Sequence, residues 1–330
     1  MVYLNALMIV ISVFITQKTD IKGVTVQFVE QAKPSYVLYV PENKDNIRKA
    51  MMLVNGLILD TDDKLIDNYS KLLAKYGVAV MTPKIGSLNR LMFGEKEKEA
   101  VRGSFTEMTR LFPSKPKGVF SFCFSNMTVC LAMKEIAGKI DFMYLFGSIA
   151  SMKDMLEYNI CGYYQIPDKK EVFYIESNRD IVEVYYRNFA NLVPNQKRFM
   201  SALQKNDSSG LSTEERKAYA LLKNQKYLMF EELYRELPEM FKKPIVESSP
   251  INNIDSFNCK MTFIHLKRDA LAPYYESVKL YNKCPSKNKK LILIDLPLHT
   301  SESQNMSGTD MLSRLKYLYE FYMLTVDLLS

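Results

Sequence analysis

The sequence predicts an α/β fold in which helices cover both faces of a mostly parallel sheet. Short apolar runs of strand length alternate with segments of helical spacing over much of the chain. Parallel strands need crossover connections, and these connections place helices on the two faces of the sheet. The chain has 330 residues, 47% of them hydrophobic and 25% charged, which supports a large packed core and excludes a disordered chain.

The predicted elements follow in order along the chain. Residues 24–29 and 36–40 form a predicted hairpin, because a turn-like Ala-Lys-Pro-Ser stretch separates two apolar or alternating runs. Strands are then predicted at 50–54, 77–83, 118–122, 140–146, 260–266 and 290–294, and helices at 65–76, 97–112, 126–137, 274–281 and 311–329. Between residues 151 and 247 the chain is mostly helix-like, with one strand-like run at 172–175 and a helix start at 212–215. This pattern predicts a core of residues 18–151 and 248–330, interrupted by a helical insertion at 152–247.

The first seventeen residues carry no charged side chain, and residues 6–15 are strongly apolar. This stretch is shorter than the roughly twenty residues that a membrane-spanning helix needs. A signal peptide would begin with basic residues and end at a small-residue cleavage site, and neither is evident. We therefore expect residues 1–17 to be either a membrane anchor or uncleaved signal, or a structural strand. The location of the protein, membrane-associated or cytoplasmic, stays open.

Charge and cysteine usage narrow the function classes. The net charge is +7 and the pI is about 8.9, but the charges are spread along the chain without a basic stripe and interleaved aromatics. A nucleic-acid partner is therefore not expected. The five cysteines are scattered, and no CxxC pair or histidine cluster accompanies them, which argues against structural zinc. Their odd number leaves at least one thiol free or paired with another chain.

Cys123 stands at the first candidate site, at the end of a predicted strand, where sites form in open α/β sheets. It leads directly into a helix, which is the strand–turn–helix context of a nucleophile elbow. Ser121 and Ser125 occupy the positions two before and two after, where small residues leave room for a tight turn. The helix N-terminus would stabilise a thiolate. The alternative is a buried, inert cysteine.

Two later strands end near residues that could serve Cys123. His299 lies in a loop beyond the last predicted strand, where an imidazole can act as a general base. The other histidine, His265, lies inside a predicted strand and is expected to be a core or structural residue. Asp269 follows that strand and could hold the imidazole in its productive tautomer. Asp295 is the rival acid.

The order nucleophile, acid, histidine resembles that of the α/β-hydrolase superfamily, and the resemblance covers about residues 24–330. Ala50-Met-Met-Leu-Val-Asn-Gly-Leu resembles the strand that ends in His-Gly before the oxyanion loop, with Asn55 in place of the histidine. Ser121-Phe-Cys-Phe-Ser-Asn resembles the Gly-Tyr-Cys-Leu-Gly-Gly elbow of dienelactone hydrolases, and a cysteine elbow also occurs in polyhydroxyalkanoate synthases. The segment from Ser249 to Pro273 resembles the acid-bearing segment of the superfamily.

The resemblance implies a Cys-His-Asp triad that acts through a covalent acyl-enzyme. Cys123 would attack an ester or thioester carbonyl, His299 would take the thiol proton, and Asp269 would orient His299. Backbone N–H groups of Leu57 and Phe124 would form the oxyanion hole. The insertion would form a lid, and its aromatic and aliphatic side chains suggest an apolar acyl pocket. The resemblance implies a small-molecule acyl substrate and neither a metal nor a cofactor.

Three function classes remain open on the sequence. The first is an esterase or thioesterase, and the second is an acyltransferase that uses the same triad. The third is a catalytically inactive hydrolase-fold protein that binds a ligand or partner. The two serines in place of the usual elbow glycines favour the third class more than a standard elbow would.

Overall fold

The structure, a computed structural model, describes residues 2–10, 21–32, 34–56, 64–88, 94–166, 172–174, 179–269, 271–295 and 311–330. The strands are β1 (Val24–Val29), β2 (Tyr36–Pro41), β3 (Lys49–Val54), β4 (Val78–Pro83), β5 (Lys117–Phe122), β6 (Phe142–Phe146), β7 (Tyr163–Gln165), β8 (Val172–Tyr174), β9 (Lys260–Leu266) and β10 (Lys289–Ile294). Eight of them form one sheet in the order β1-β2-β4-β3-β5-β6-β9-β10, and β7 pairs with β8 in a separate two-stranded sheet.

The main sheet is mostly parallel, as predicted. β1 pairs with β2 as an antiparallel hairpin, and β2 pairs antiparallel with β4. The remaining neighbours, from β4 through β3, β5, β6 and β9 to β10, are all parallel. The carboxyl ends of these six strands therefore meet at one edge of the sheet, which is where a site is expected in this class of fold.

Helices fill the connections between the strands. They are α1 (Val2–Val10), α2 (Lys64–Lys75), α3 (Glu95–Leu111), α4 (Ser125–Met133), α5 (Met152–Cys161), α6 (Arg179–Ala190), α7 (Gln196–Lys205), α8 (Thr213–Leu222), α9 (Tyr227–Glu236), α10 (Glu239–Ser248), α11 (Tyr275–Lys283) and α12 (Met311–Leu329). The predicted helices in the core sequence are confirmed to within a few residues.

The sheet separates two buried layers, and the alternation of β3 shows how. Ala50, Met52 and Val54 lie in a cluster with residues of α3 and α4, whereas Met51 and Leu53 lie in a cluster with residues of α2 and α12. All five side chains are at most 1% exposed. A strand that is covered on both faces is apolar throughout, which is why β3 reads as an uninterrupted apolar run.

The helices α5 to α10 come between β6 and β9, which are neighbours in the sheet. The predicted helical content of this stretch is therefore present, and α8 begins at the predicted point. There the Ser212 side chain and the Glu215 side chain cap each other's backbone N–H groups. The inner side chains of these helices form one buried cluster with Phe124, which immediately precedes α4, and with Met127 of α4. The helical stretch thus packs directly on the strand–helix turn that carries Cys123.

Residues 2–10 form a helix, so the expectation of a strand is wrong for this part of the N-terminal segment. Ala6 and Ile9 of α1 are fully buried in the cluster that also contains Leu324 and Leu328 of α12. Residues 11–17 lie outside the described residues. Among the helices that the structure describes, none combines the length and the apolar character needed to cross a membrane.

Candidate active site

Cys123 occupies the turn between β5 and α4 with a backbone φ of +52°. Among the described residues, only one other non-glycine residue, Asn206, has a positive φ. This left-handed conformation is sterically costly for a side chain with a Cβ, and such strain is concentrated at functional sites. The Cys123 side chain is partly exposed. The predicted strand–turn–helix geometry is therefore present.

Neighbouring backbone holds the strained turn in place. The Cys123 N–H donates to the Phe146 carbonyl oxygen at 2.7 Å, and the Cys123 carbonyl oxygen accepts from the Asn126 N–H at 3.1 Å. The Asn126 side-chain amide donates to the same Phe146 oxygen at 2.9 Å. Gly147, with a φ of +60°, brings the end of β6 close enough that a Cβ there would lie 3.8 Å from the Cys123 Cα. The elbow is thus tied to the end of β6.

The two serines that replace the usual elbow glycines bond within the turn. Ser121 and Ser125 are both buried, and their hydroxyl oxygens lie 3.1 Å apart. The Ser125 hydroxyl lies 2.7 Å from the Phe122 carbonyl oxygen and 3.3 Å from that of Val54. It can donate its one hydrogen to only one of them, and the Phe122 oxygen is the closer acceptor. The serines therefore fit the tight turn and add hydrogen bonds across it.

The end of β3 lies against the same turn. A Cβ on Gly56 would come within 2.8 Å of the Phe122 carbonyl oxygen and 3.2 Å of the Cys123 Cβ, so only glycine fits there. Of the two predicted oxyanion donors, the Phe124 N–H lies close enough to the Cys123 sulfur to lower the pKa of the thiol. Leu57 lies outside the described residues.

The electrostatics of Cys123 favour a neutral thiol in the absence of a base. The pKa of Cys123 is raised to about 12, mainly by burial and to a smaller extent by the Asp269 charge, while the Phe124 N–H acts in the opposite direction. Burial also raises the pKa values of Cys130 and Cys259 to about 12. Acidity alone therefore does not distinguish Cys123, and a proton acceptor is needed if this thiol is to react near neutral pH.

Asp269 lies in the turn after β9 and is 4% exposed. Its Oδ1 accepts from the backbone N–H groups of Leu271 at 2.8 Å and Ala272 at 3.2 Å. The rival acid, Asp295, is more exposed and lies 3.4 Å from the Arg268 guanidinium. The Asp269 carboxylate lies close enough to Cys123 for its charge to raise the pKa of the thiol. His299 lies outside the described residues, so its place beside them stays a prediction.

His265 has a defined structural role beneath the Asp269 turn. It is fully buried in β9, as expected for a core residue. Its Nε2 lies 2.8 Å from the Ala272 carbonyl oxygen, and its Nδ1 lies 2.7 Å from the Ser277 hydroxyl. A carbonyl only accepts, so Nε2 carries the hydrogen and Nδ1 accepts from Ser277 in the neutral ring. His265 thereby connects the Asp269 turn to α11. The sequence pattern placed it in a strand but gave no sign of these partners.

Replacing His265 with leucine is expected to lower the free energy of unfolding by about 2–4 kcal/mol, because the Ala272 oxygen and the Ser277 hydroxyl would lose their buried partner. Urea unfolding followed by circular dichroism measures the change. Ser277→Ala removes only one of the two bonds and should cost about 1 kcal/mol. Equal losses in the two variants would contradict the assigned role of the Ala272 contact.

Tyrosines from the helical stretch approach the turn from above the sheet. Tyr158 of α5 and Tyr185 of α6 are buried, and the Asn159 amide donates to the Tyr185 hydroxyl at 3.3 Å. Burial raises the pKa of both phenols, and the charges of Asp269 and Cys123 raise them further. Tyr158 therefore lies near Asp269, and Tyr185 lies near Cys123.

Solved structures share this architecture. An acylaminoacyl peptidase in complex with Z-Gly-Gly-Phe-chloromethyl ketone is 10% identical with a TM-score of 0.55, and the match covers 96% of this chain and 43% of that chain. Esterase B from Lactobacillus rhamnosis is 13% identical with a TM-score of 0.51, over 93% of this chain and 88% of the esterase. The chain has the α/β-hydrolase fold. The fold class predicted from the strand order and the elbow is confirmed.

A further structural match has equally low sequence identity. The Pyrococcus horikoshii acylaminoacyl peptidase, 11% identical with a TM-score of 0.53, matches 96% of this chain. The chain spans less than half the length of that peptidase, 43% of it. No protein-family model and no curated protein sequence matches the chain.

Proposed function

We propose that this protein is an acyl hydrolase, an esterase or thioesterase, that acts through Cys123, His299 and Asp269. The observation that carries the proposal is the positive φ of Cys123, +52°, at a turn held by β6 and contacted by the end of β3. A strained cysteine at the carboxyl end of a central parallel strand is the feature that a nucleophile needs and a buried structural cysteine does not. Asp269, in the turn after β9, adds a carboxylate whose charge acts on Cys123.

The proposed reaction has two steps. His299 takes the proton from the Cys123 sulfur, and the thiolate attacks the carbonyl carbon of the substrate. The carbonyl electron pair moves to oxygen, where the N–H groups of Leu57 and Phe124 stabilise it. When the pair returns, the alcohol or thiol leaves with the proton from His299, and the acyl group remains on sulfur. Water, deprotonated by His299, then releases the acid and restores the thiol.

The helices α5 to α10 are proposed to serve as a lid that shapes an apolar acyl pocket. Support comes from the buried cluster that they share with Phe124 and Met127 directly after the nucleophile. Tyr158 and Tyr185 add large buried surfaces beside Cys123 and Asp269. An apolar wall of this kind favours esters or thioesters of hydrophobic acyl groups over charged ones.

The proposal is tested by the pH dependence of Cys123 alkylation in the wild type and in His299→Ala. In His299→Ala the alkylation rate should rise about tenfold per pH unit from about pH 7 to about pH 10, since the thiol pKa is about 12 without a base. In the wild type the alkylation rate should be much higher near pH 7, because His299 accepts the proton from the thiol. The wild-type rate should also reach its plateau at a lower pH than the rate of His299→Ala does. Modified Cys123 is counted by peptide mass spectrometry, with Cys259 in the same chain as the internal reference.

Once the pH profile of Cys123 alkylation is known, a panel of esters and thioesters is assayed for hydrolysis. Turnover of p-nitrophenyl esters or acyl thioesters that needs both Cys123 and His299 would support hydrolysis. Identical profiles in the two proteins would contradict the triad and leave a hydrolase-fold binding protein, since an unassisted thiol of this pKa is inert near neutral pH. Ester products that appear only with an added alcohol would identify an acyltransferase instead.

A further inference from the structure

Asn55 follows the last residue of β3, and its side chain is 5% exposed. Both its amide nitrogen and its amide oxygen are buried without a hydrogen-bond partner. Other buried asparagines with an unpartnered oxygen use their nitrogen: Asn126 donates to the Phe146 oxygen at 2.9 Å and Asn159 to the Met155 oxygen at 2.7 Å. Asn55 differs from both, because neither end of its amide is used.

An amide buried in this state is destabilising. Loss of hydration without a replacement hydrogen bond costs free energy, and a buried polar group without a partner in a folded protein calls for an explanation. A leucine of similar shape would fill the same space without that cost. The presence of asparagine therefore indicates a role that the unliganded protein does not reveal.

The position of Asn55 indicates what that role is. The next residue, Gly56, lies so close to the elbow that a Cβ there would come within 3.2 Å of the Cys123 Cβ. Val54, on the other side, pairs in register with Ser121 of β5 and lies 3.3 Å from the Ser125 hydroxyl through its carbonyl oxygen. Asn55 is thus held between two residues that contact the elbow from β3, at the carboxyl end of the strand next to the one that leads into Cys123.

We propose that the Asn55 side-chain amide is an oxyanion donor, which hydrogen-bonds the carbonyl oxygen of the acyl group as Cys123 attacks it. This inference rests on the proposed acyl hydrolase function and adds a side-chain donor to the backbone N–H groups. When the C–S bond forms, the carbonyl π pair moves to oxygen, and the unused N–H of Asn55 gains the acceptor that the free protein lacks. When the leaving group departs, the pair returns and the hydrogen bond weakens. The amide does not titrate, so its contribution is independent of pH.

The test variant is Asn55→Leu, measured with a p-nitrophenyl ester and, separately, with iodoacetamide. Ester turnover should fall by about 10²- to 10³-fold in kcat with a much smaller change in KM, and by the same factor at every pH. Iodoacetamide alkylation should stay within about twofold of the wild type, because displacement at a saturated carbon develops no oxyanion. Tm should be unchanged or higher, because an unsatisfied buried amide is removed.

Asn253→Leu is the matched control. Asn253 is 3% exposed, its amide nitrogen donates to the Glu247 and Ser249 carbonyl oxygens, and its oxygen accepts from Lys134. It is a satisfied asparagine, and no hydrogen bond links it to the elbow, so its loss should lower Tm and leave kcat per folded molecule unchanged. Three results would overturn the Asn55 proposal: a kcat within about threefold of the wild type, a parallel loss of alkylation and turnover, or a fall in Tm like that of the control. A wild type that alkylates only as fast as His299→Ala and hydrolyses no ester points instead to failure of the proposed function.

Discussion

Replacing Cys123 with alanine is expected to abolish acyl transfer, with kcat lowered by at least about 10⁴-fold. The reason is that no other described thiol lies in a strained turn at a strand end: Cys130 and Cys284 are buried in the core beneath the sheet. The measurement is steady-state turnover of the best ester or thioester from the panel. Cys259→Ala, a change of the same chemistry at a partly exposed thiol away from the elbow, should leave kcat within about twofold.

The same position allows a stability test that is independent of substrate. Because Cys123 has a φ of +52°, glycine should suit the backbone better than any residue with a Cβ. We expect Cys123→Gly to unfold with a free energy about 1 kcal/mol higher than Cys123→Ala, although both lack activity. Urea denaturation of the two inactive variants measures the difference. If alanine is the more stable of the two, then the turn is not strained and the main argument for a nucleophile is lost.

The order of elements could be predicted because the central strands of the sheet are covered on both faces and are therefore apolar almost throughout. β9 and α12 were predicted at their observed bounds, since an apolar run flanked by polar residues marks a buried strand and a long periodic segment marks a helix. The N-terminal segment could not be predicted in the same way. Residues 2–10 are apolar apart from Asn5 and show no helical or strand period, and a short apolar segment of this kind is compatible with a buried strand or a buried helix. Packing against α12 decides for the helix.

The site was predictable in part for a related reason. Cys123 and Asp269 are singled out by the rule that chemistry lies at strand ends, and the Asp269 charge raises the pKa of the Cys123 thiol, whereas their catalytic roles stay predictions. The partners of His265 could not be read from the sequence, because Ser277 and Ala272 reach it only through the return of α11 onto β9. The unused amide of Asn55 is likewise a property of packing, although its place in a strand-end Asn-Gly pair marked the position in advance.

Asp269→Asn is expected to lower kcat by about 10⁴-fold while the fold is retained. The asparagine oxygen can still accept from the Leu271 and Ala272 N–H groups, as Oδ1 of Asp269 does now. What is lost is the negative charge that would orient His299 and stabilise its protonated form. The measurement is the pH profile of kcat, with Asp295→Asn as the control. If Asp295→Asn causes the larger loss, the rival acid is the third member of the triad.

A double variant separates the two effects of the Asp269 charge. When His299 is present, the carboxylate should promote the reaction of Cys123 through the imidazolium. When His299 is replaced by alanine, the same carboxylate only raises the thiol pKa, so its removal lowers that pKa and increases the fraction of thiolate at a given pH. Asp269→Asn should therefore slow alkylation of Cys123 in the wild-type background and accelerate it in the His299→Ala background. Such a reversal of sign requires that Asp269 acts on Cys123 through His299, and changes of the same sign in both backgrounds would rule out that coupling.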